Sequence, residues 1–186
     1  MIDRRATIVI LALAAAAATG GWWLQRSLQA PPSPPVALTT PATHTSVLKV
    51  GDRADDLALP DLDGKPQPLS QWRGKRVLLN FWATWCAPCR KEMPELSAAQ
   101  TRYPGVQVIG VALDQPQAVR EYLKHTKVDY PILIGIDADP DPTLRFGDTV
   151  GALPYSVLID PDGKIERTKL GPFNATELQD WLSGKD

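Results

Sequence analysis

Two kinds of apolar pattern alternate along this chain. Val77–Trp82 is apolar except for Asn80, and Val106–Leu113 is a second, nearly continuous run. Runs of this length predict strands covered on both faces of a sheet. Pro131–Ile136 and Val157–Asp160 are two further strand candidates. Elsewhere the apolar residues recur at helical spacing: Met93, Leu96, Ala99 and Tyr103, then Ala118, Val119, Tyr122 and Leu123. Asp160-Pro161-Asp162-Gly163 predicts a hairpin turn into Lys164–Thr168. Asn174 with Glu177 three residues on marks the start of a last helix, whose buried face is Leu178, Trp181 and Leu182. Nearer the N-terminus, Leu57-Ala58-Leu59 predicts a short strand and Asp61–Lys65 a turn, with Gly64 at positive φ. Pro66 and Pro68 confine the next strand to an edge. The order βαβαβ, hairpin, helix predicts an α/β fold, a central mixed sheet flanked by helices with an N-terminal strand and hairpin extension.

The first 46 residues follow a different logic. Arg4 and Arg5 precede an uncharged run from Ala6 to Leu24. Its nineteen residues span about 28 Å as a helix, close to the hydrocarbon thickness of a membrane. Residues 1–5 are therefore expected in the cytoplasm and 6–24 as a transmembrane anchor, with Trp22 and Trp23 at the interface. A signal peptide cleaved among Ala14–Ala18 is the alternative. The anchor is favoured because the apolar run continues past those alanines. Residues 25–46 form a linker containing Pro31-Pro32-Ser33-Pro34-Pro35, a composition that favours extended polyproline II and builds no core. Residues 47–186 are left as one domain, long enough for a core of its own. A net charge of −1 supplies no basic surface for nucleic acid.

The candidate chemistry lies in Asn80-Phe81-Trp82-Ala83-Thr84-Trp85-Cys86-Ala87-Pro88-Cys89-Arg90-Lys91-Glu92-Met93-Pro94, where a strand ends and a helix begins. A helix start points unpaired N–H groups and the positive end of its dipole outward, which favours a thiolate. Pro88 suits the first turn, where it forfeits no helical hydrogen bond. The chain has only two cysteines and two histidines, His44 and His125, too few and too scattered for a four-ligand zinc site. The arrangement reads as a redox dithiol, with an inert buried pair as the plain alternative. Asp137, Asp139 and Asp141 alternate like the start of a calcium loop, but its sixth position is Pro142 and its twelfth Asp148. Asp141 is expected instead to cap a helix leading to Phe146.

The Asn80–Pro94 segment, with Trp-Cys-x-Pro-Cys after a strand and Pro94 eight residues after the first cysteine, resembles the active site of the thioredoxin superfamily. More narrowly it resembles the membrane-anchored TlpA/ResA-like thiol-disulfide oxidoreductases, from about Val47 to the C-terminus. The resemblance implies a thioredoxin-like fold, Cys86 as nucleophile and Cys89 as resolving thiol. It implies a cis bond at Leu153-Pro154 beside the pair, where Leu153 offers its backbone to an extended partner. Trp85, Ala87 and Pro88 complete the expected partner-binding set, with Trp85 packing beside the cysteines. Many thioredoxins carry a buried acid where this chain has Asn80. The TlpA/ResA-like proteins instead use a glutamate three residues after the second cysteine, the position of Glu92. A solvated surface glutamate is the plain alternative there.

The redox-active Cys86–Cys89 disulfide is expected to serve without a cofactor or metal. The resemblance further implies protein disulfide substrates, a membrane-embedded electron donor, and a monomer in the bacterial inner membrane with its domain in the periplasm. A reductive role in cytochrome c or oxidase maturation fits that setting. A Cu(I)-binding metallochaperone is the competing class, since soft thiolates suit Cu(I).

Overall fold

The apolar runs become strands and the helical stretches become helices. The computed structural model describes residues 47–184. In chain order they form β1 (Ala58–Pro60), β2 (Pro66–Pro68), a 3-10 turn at Leu69–Trp72, β3 (Arg76–Trp82), α1 (Ala87–Arg102), β4 (Val106–Ala112) and α2 (Pro116–Leu123). β5 (Ile132–Ile134), α3 (Pro142–Arg145), β6 (Tyr155–Ile159), β7 (Ile165–Leu170) and α4 (Ala175–Ser183) follow. The expected anchor at 6–24 and linker at 25–46 lie outside the described residues. Among the described residues no helix is long and apolar enough to cross a membrane.

The main sheet has five strands in the order β5-β4-β3-β6-β7. β3, β4 and β5 run parallel, while β6 is antiparallel to β3 and β7 to β6. This is the mixed sheet that the element order predicts. β1 and β2 pair separately, with Pro66 opposite Pro60 and Pro68 opposite Ala58. Three prolines that cannot donate to a ladder are thus confined to a small edge pair.

Alternation along β3 sends Val77, Leu79 and Phe81 to one face and Leu78, Asn80 and Trp82 to the other. Both faces are buried. Leu78 and Trp82 join Met93 and Leu96 of α1, Val119 of α2, and Leu178 and Trp181 of α4. On the opposite face Leu79 and Phe81 join Leu59, Leu69, Ile109, Val157 and Phe146. Truncating a large residue in either layer should cost about 2–5 kcal/mol.

β6 starts at Tyr155, two residues before the expected Val157, and β5 is shorter than Pro131–Ile136. Tyr155 and Ser156 look like loop residues in sequence, yet both are buried because their polar atoms find partners. The Tyr155 hydroxyl donates to the Phe146 carbonyl at 2.9 Å, and Ser156 Oγ accepts from Asn80 at 3.1 Å. The predicted caps form: Asp141 accepts from Thr143 N–H at 2.8 Å and Asn174 from Glu177 N–H at 2.9 Å. Gly64 sits at φ 79°, as its turn requires.

Candidate active site

Cys86 is the residue that caps α1. Its backbone is extended and its Sγ accepts from the Cys89 N–H at 3.3 Å. Cys86 and Cys89 are joined by a disulfide with Cα atoms 5.3 Å apart, so the structure shows the oxidised state. Cys86 keeps 4% of its surface exposed and Cys89 none. Ala87 and Pro88 occupy the exposed first turn, where Pro88 removes no helical bond. Pro94, inside α1, lacks the N–H that would bond the Arg90 carbonyl.

The loop that delivers Cys86 is braced. Thr84 donates both its N–H and its hydroxyl to one carboxylate oxygen of Asp114, just after β4. Beyond that brace the chain turns outward, and Trp85 is 70% exposed. The indole is therefore largely exposed, one residue before Cys86, whereas Ala83 is fully buried.

Leu153-Pro154 is cis, as the resemblance implies, and Pro154 is buried at the entrance to β6. Its carbonyl accepts from Gly171 N–H at 2.8 Å. Leu153 is half-buried against both core layers. A second cis bond, Asp139-Pro140, has no counterpart in the sequence reading. Asp148 Oδ1 accepts from the N–H groups of Val150 and Gly151 at 3.0 and 2.9 Å, shaping the loop that leads to Pro154.

Glu92 is buried, with 4% of its surface exposed, so it is no solvated surface charge. Oε1 accepts from Asn80 Nδ2 at 2.8 Å, and Oε2 accepts from the Phe173 N–H at 3.0 Å. Burial drives its pKa above the ordinary carboxylate value, against the opposing pull of the Phe173 N–H, the Asn80 amide and the charge of Lys169. Tyr130 is raised as well, first by burial and then by the charge of Glu92. A groove of 430 Å³ between Ala87, Pro88 and Lys91 on one side and Pro172 and Phe173 on the other reaches Glu92. The carboxylate is therefore in a low-dielectric setting but has an opening toward water. Asn80, Phe173 and Lys169 are not readable as its partners from sequence spacing alone.

A disulfide at a helix start, a cis-proline beside a buried sheet, and a buried carboxylate one helical turn beyond the second cysteine define a thioredoxin-fold thiol-disulfide oxidoreductase. Residues 50–168 match the sequence profile of the AhpC/TSA family, and the chain belongs to that family. It is similar to the thiol-disulfide oxidoreductase ResA of Bacillus cereus, with 35% identity over 138 residues, 73% of this chain and 78% of that protein. ResA of Bacillus subtilis (strain 168) is 32% identical over 136 residues, 72% of this chain and 74% of that one. Among solved structures, a putative thiol:disulfide interchange protein DsbE from Chlorobium tepidum matches with TM-score 0.66 and 32% identity, covering 74% of this chain and 97% of that one. StoA from Bacillus subtilis matches with TM-score 0.54 and 28% identity, covering 67% and 94%. The chain is a thiol-disulfide oxidoreductase whose redox group is its own cysteine pair.

Proposed function

We propose that this protein is a membrane-tethered, extracytoplasmic reductase that opens disulfides in partner proteins, as in cytochrome c or oxidase maturation. The observation that carries the chemical part is the asymmetry of the pair: Cys86 caps the helix and keeps a small exposed edge, 4% of its surface, while Cys89 has none. A thiolate on Cys86 gains the N–H groups of the first turn and can be reached by a partner.

The reduced pair then acts in two steps. Cys86 thiolate attacks one sulfur of a partner disulfide; a Cys86–partner bond forms, the partner's own bond breaks, and the departing sulfur takes up a proton. Glu92 next accepts the proton of Cys89, and the Cys89 thiolate attacks Cys86 Sγ. The Cys86–Cys89 bond forms and the second partner sulfur leaves as a thiolate, which takes up a proton. Two electrons pass to the partner, whose two sulfurs take up one proton that originates on Cys89 and one from water. A membrane-embedded dithiol donor restores the reduced state by the reverse exchange at Cys86. Trp85, Ala87 and Pro88 offer the exposed contact surface beside the reacting sulfur, with Leu153 and Pro154 ordering the partner's extended chain.

The Ala6–Leu24 run and its tryptophans support a single anchor with the domain in the periplasm of a bacterial cell. The Cu(I)-carrier alternative requires both thiolates to meet one metal, and the burial of Cys89 weighs against it.

Cys89→Ala in intact cells tests the proposal, because the first mixed disulfide then has no resolving thiol. Membrane-fraction complexes linking Cys86 to haem- or copper-binding proteins with cysteine pairs are the expected catch. Finding the variant in the soluble fraction, with a mature start after any of Ala14–Ala18, would defeat the anchor. An absence of captured partners while reduced wild-type chain holds one equivalent of Cu(I) against a chelator would favour the metal carrier.

A further inference from the structure

A row of polar residues crosses the sheet beneath Glu92. Strand register sets Lys169 of β7 opposite Ser156 of β6, and Ser156 opposite Asn80 of β3. Directly paired residues project from the same face, so the three lie side by side on one face of the sheet, two residues along from Arg167, which pairs with Leu158. The Asn80 amide is shared between Ser156 Oγ at 3.1 Å and Glu92 Oε1 at 2.8 Å. Next to Asn80 the row ends in Gly110 of β4. Polar groups in such a layer carry a desolvation cost unless they are paired. Its donor groups converge on one carboxylate, while the buried Asn80 Oδ1 is left without a hydrogen-bond partner.

Lys169 occupies the outer position, with its side chain only 20% exposed. Its Nζ bonds Glu177 Oε1 at 2.7 Å and lies 5.6 Å from the centroid of the Phe173 ring. That ring packs edge-on against Trp181 with centroids 4.9 Å apart, and the Phe173 N–H donates to Glu92 Oε2 at 3.0 Å. The β7–α4 connection is thus a strap pinned by an ammonium on one side and by the carboxylate on the other.

We propose that Lys169 is a positioning residue for the exchange reaction: through the Phe173 strap and its own charge it keeps Glu92 ionised enough to accept the proton of Cys89. The proposal rests on the role given to Glu92 above. The groups that face Glu92 fit it. Asn80 and Ser156 are uncharged, Tyr130 stays a neutral phenol, and Lys91 and Glu95 on the same helix are exposed beside the groove. Lys169 is the cation that lowers the proton affinity of Glu92 against burial, and its ammonium is also paired with Glu177. A cation sheltered in this way is screened less by salt than the solvated Lys91.

The test is the pH profile for resolution of the mixed disulfide, measured by stopped flow on the reduced full chain with a small disulfide peptide. Lys169→Met keeps the bulk over Phe173 and removes the charge, so the acid limb should move to higher pH by about half a unit or more. Glu177→Gln leaves Lys169 unopposed, so the limb should move to lower pH. Lys169→Arg keeps the charge and should restore the wild-type limb. In a Glu92→Gln background, Lys169→Met should cause no further shift. A Lys169→Met profile that superimposes on wild type, while Glu92→Gln abolishes the limb, overturns the inference alone. So does a Lys169→Arg shift as large as that of Lys169→Met, which would assign the effect to packing. If Glu92→Gln itself leaves the profile intact, the role of Glu92 falls, and this inference with it.

Discussion

Asn80 on β3 and Glu92 on α1 form one unit, the amide of the first 2.8 Å from the carboxylate of the second. In sequence they stand as alternatives, an Asn where many thioredoxins have an acid and a Glu further along the helix. In the fold the strand supplies a donor and the helix supplies the acid, both aimed at the same spot. An amide donor lets a buried carboxylate ionise without a second negative charge beside it.

Glu92→Gln should slow resolution of the mixed disulfide at least tenfold near neutral pH, since a positioned base contributes about 10²–10⁴-fold. The first attack by Cys86 should be much less affected. Stopped-flow reduction of a model disulfide, followed by the fluorescence of exposed Trp85, separates the two phases. Equal resolution rates for wild type and variant would reduce Glu92 to a structural residue.

Glu92 also makes stability depend on pH in a stated direction. Its folded-state pKa is raised by burial, so the folded chain holds this proton more tightly than the unfolded chain does. That contribution is full below the ordinary carboxylate value, about 4.3, and is lost as pH rises through the raised folded value. Denaturant midpoints measured across that window should fall with pH more steeply for wild type than for Glu92→Gln. The informative quantity is the difference in slope, because glutamine also places an amide against the Phe173 N–H and shifts the absolute stability.

The two cysteines should differ in reactivity once reduced. Cys86 accepts from an N–H of the first helical turn and keeps 4% of its surface exposed, while Cys89 does neither. A limiting amount of alkylating agent should therefore label Cys86 first, as read by peptide mass. Cys86→Ser should abolish exchange, and Cys89→Ser should accumulate mixed disulfides. Preferential modification of Cys89 would reverse the assigned roles.

Trp85→Ala should leave stability within about 0.5 kcal/mol, the range for an exposed site. Its loss should appear as a raised KM for a folded protein substrate more than as a lowered kcat. A kcat-dominated loss would place the indole in the chemical step instead of the contact surface.

Much of the fold is legible in the sequence because its strands are buried on both faces and so appear as unbroken apolar runs, as in Val77–Trp82 and Val106–Leu113. The caps at Asp141 and Asn174 are legible for a local reason, since their partners lie two or three residues away. What escapes depends on distant pairing. Nothing near Thr84 announces Asp114, 30 residues on, and helix spacing cannot show that Phe173 closes over Glu92. The exposure of Trp85 is likewise not local information, since it follows the brace between Thr84 and Asp114.

The Phe173–Glu92 contact spans 81 residues of chain, which gives the site an order of birth. On a ribosome adding about 5–20 residues per second, the cysteines and Glu92 emerge roughly 4–16 seconds before the amide that encloses the carboxylate. Until Phe173 has been made, Glu92 Oε2 lacks the N–H from which it accepts in the fold. The enclosed acid comes into being only when the end of the chain arrives, so its setting belongs to the finished fold and to no smaller piece of it.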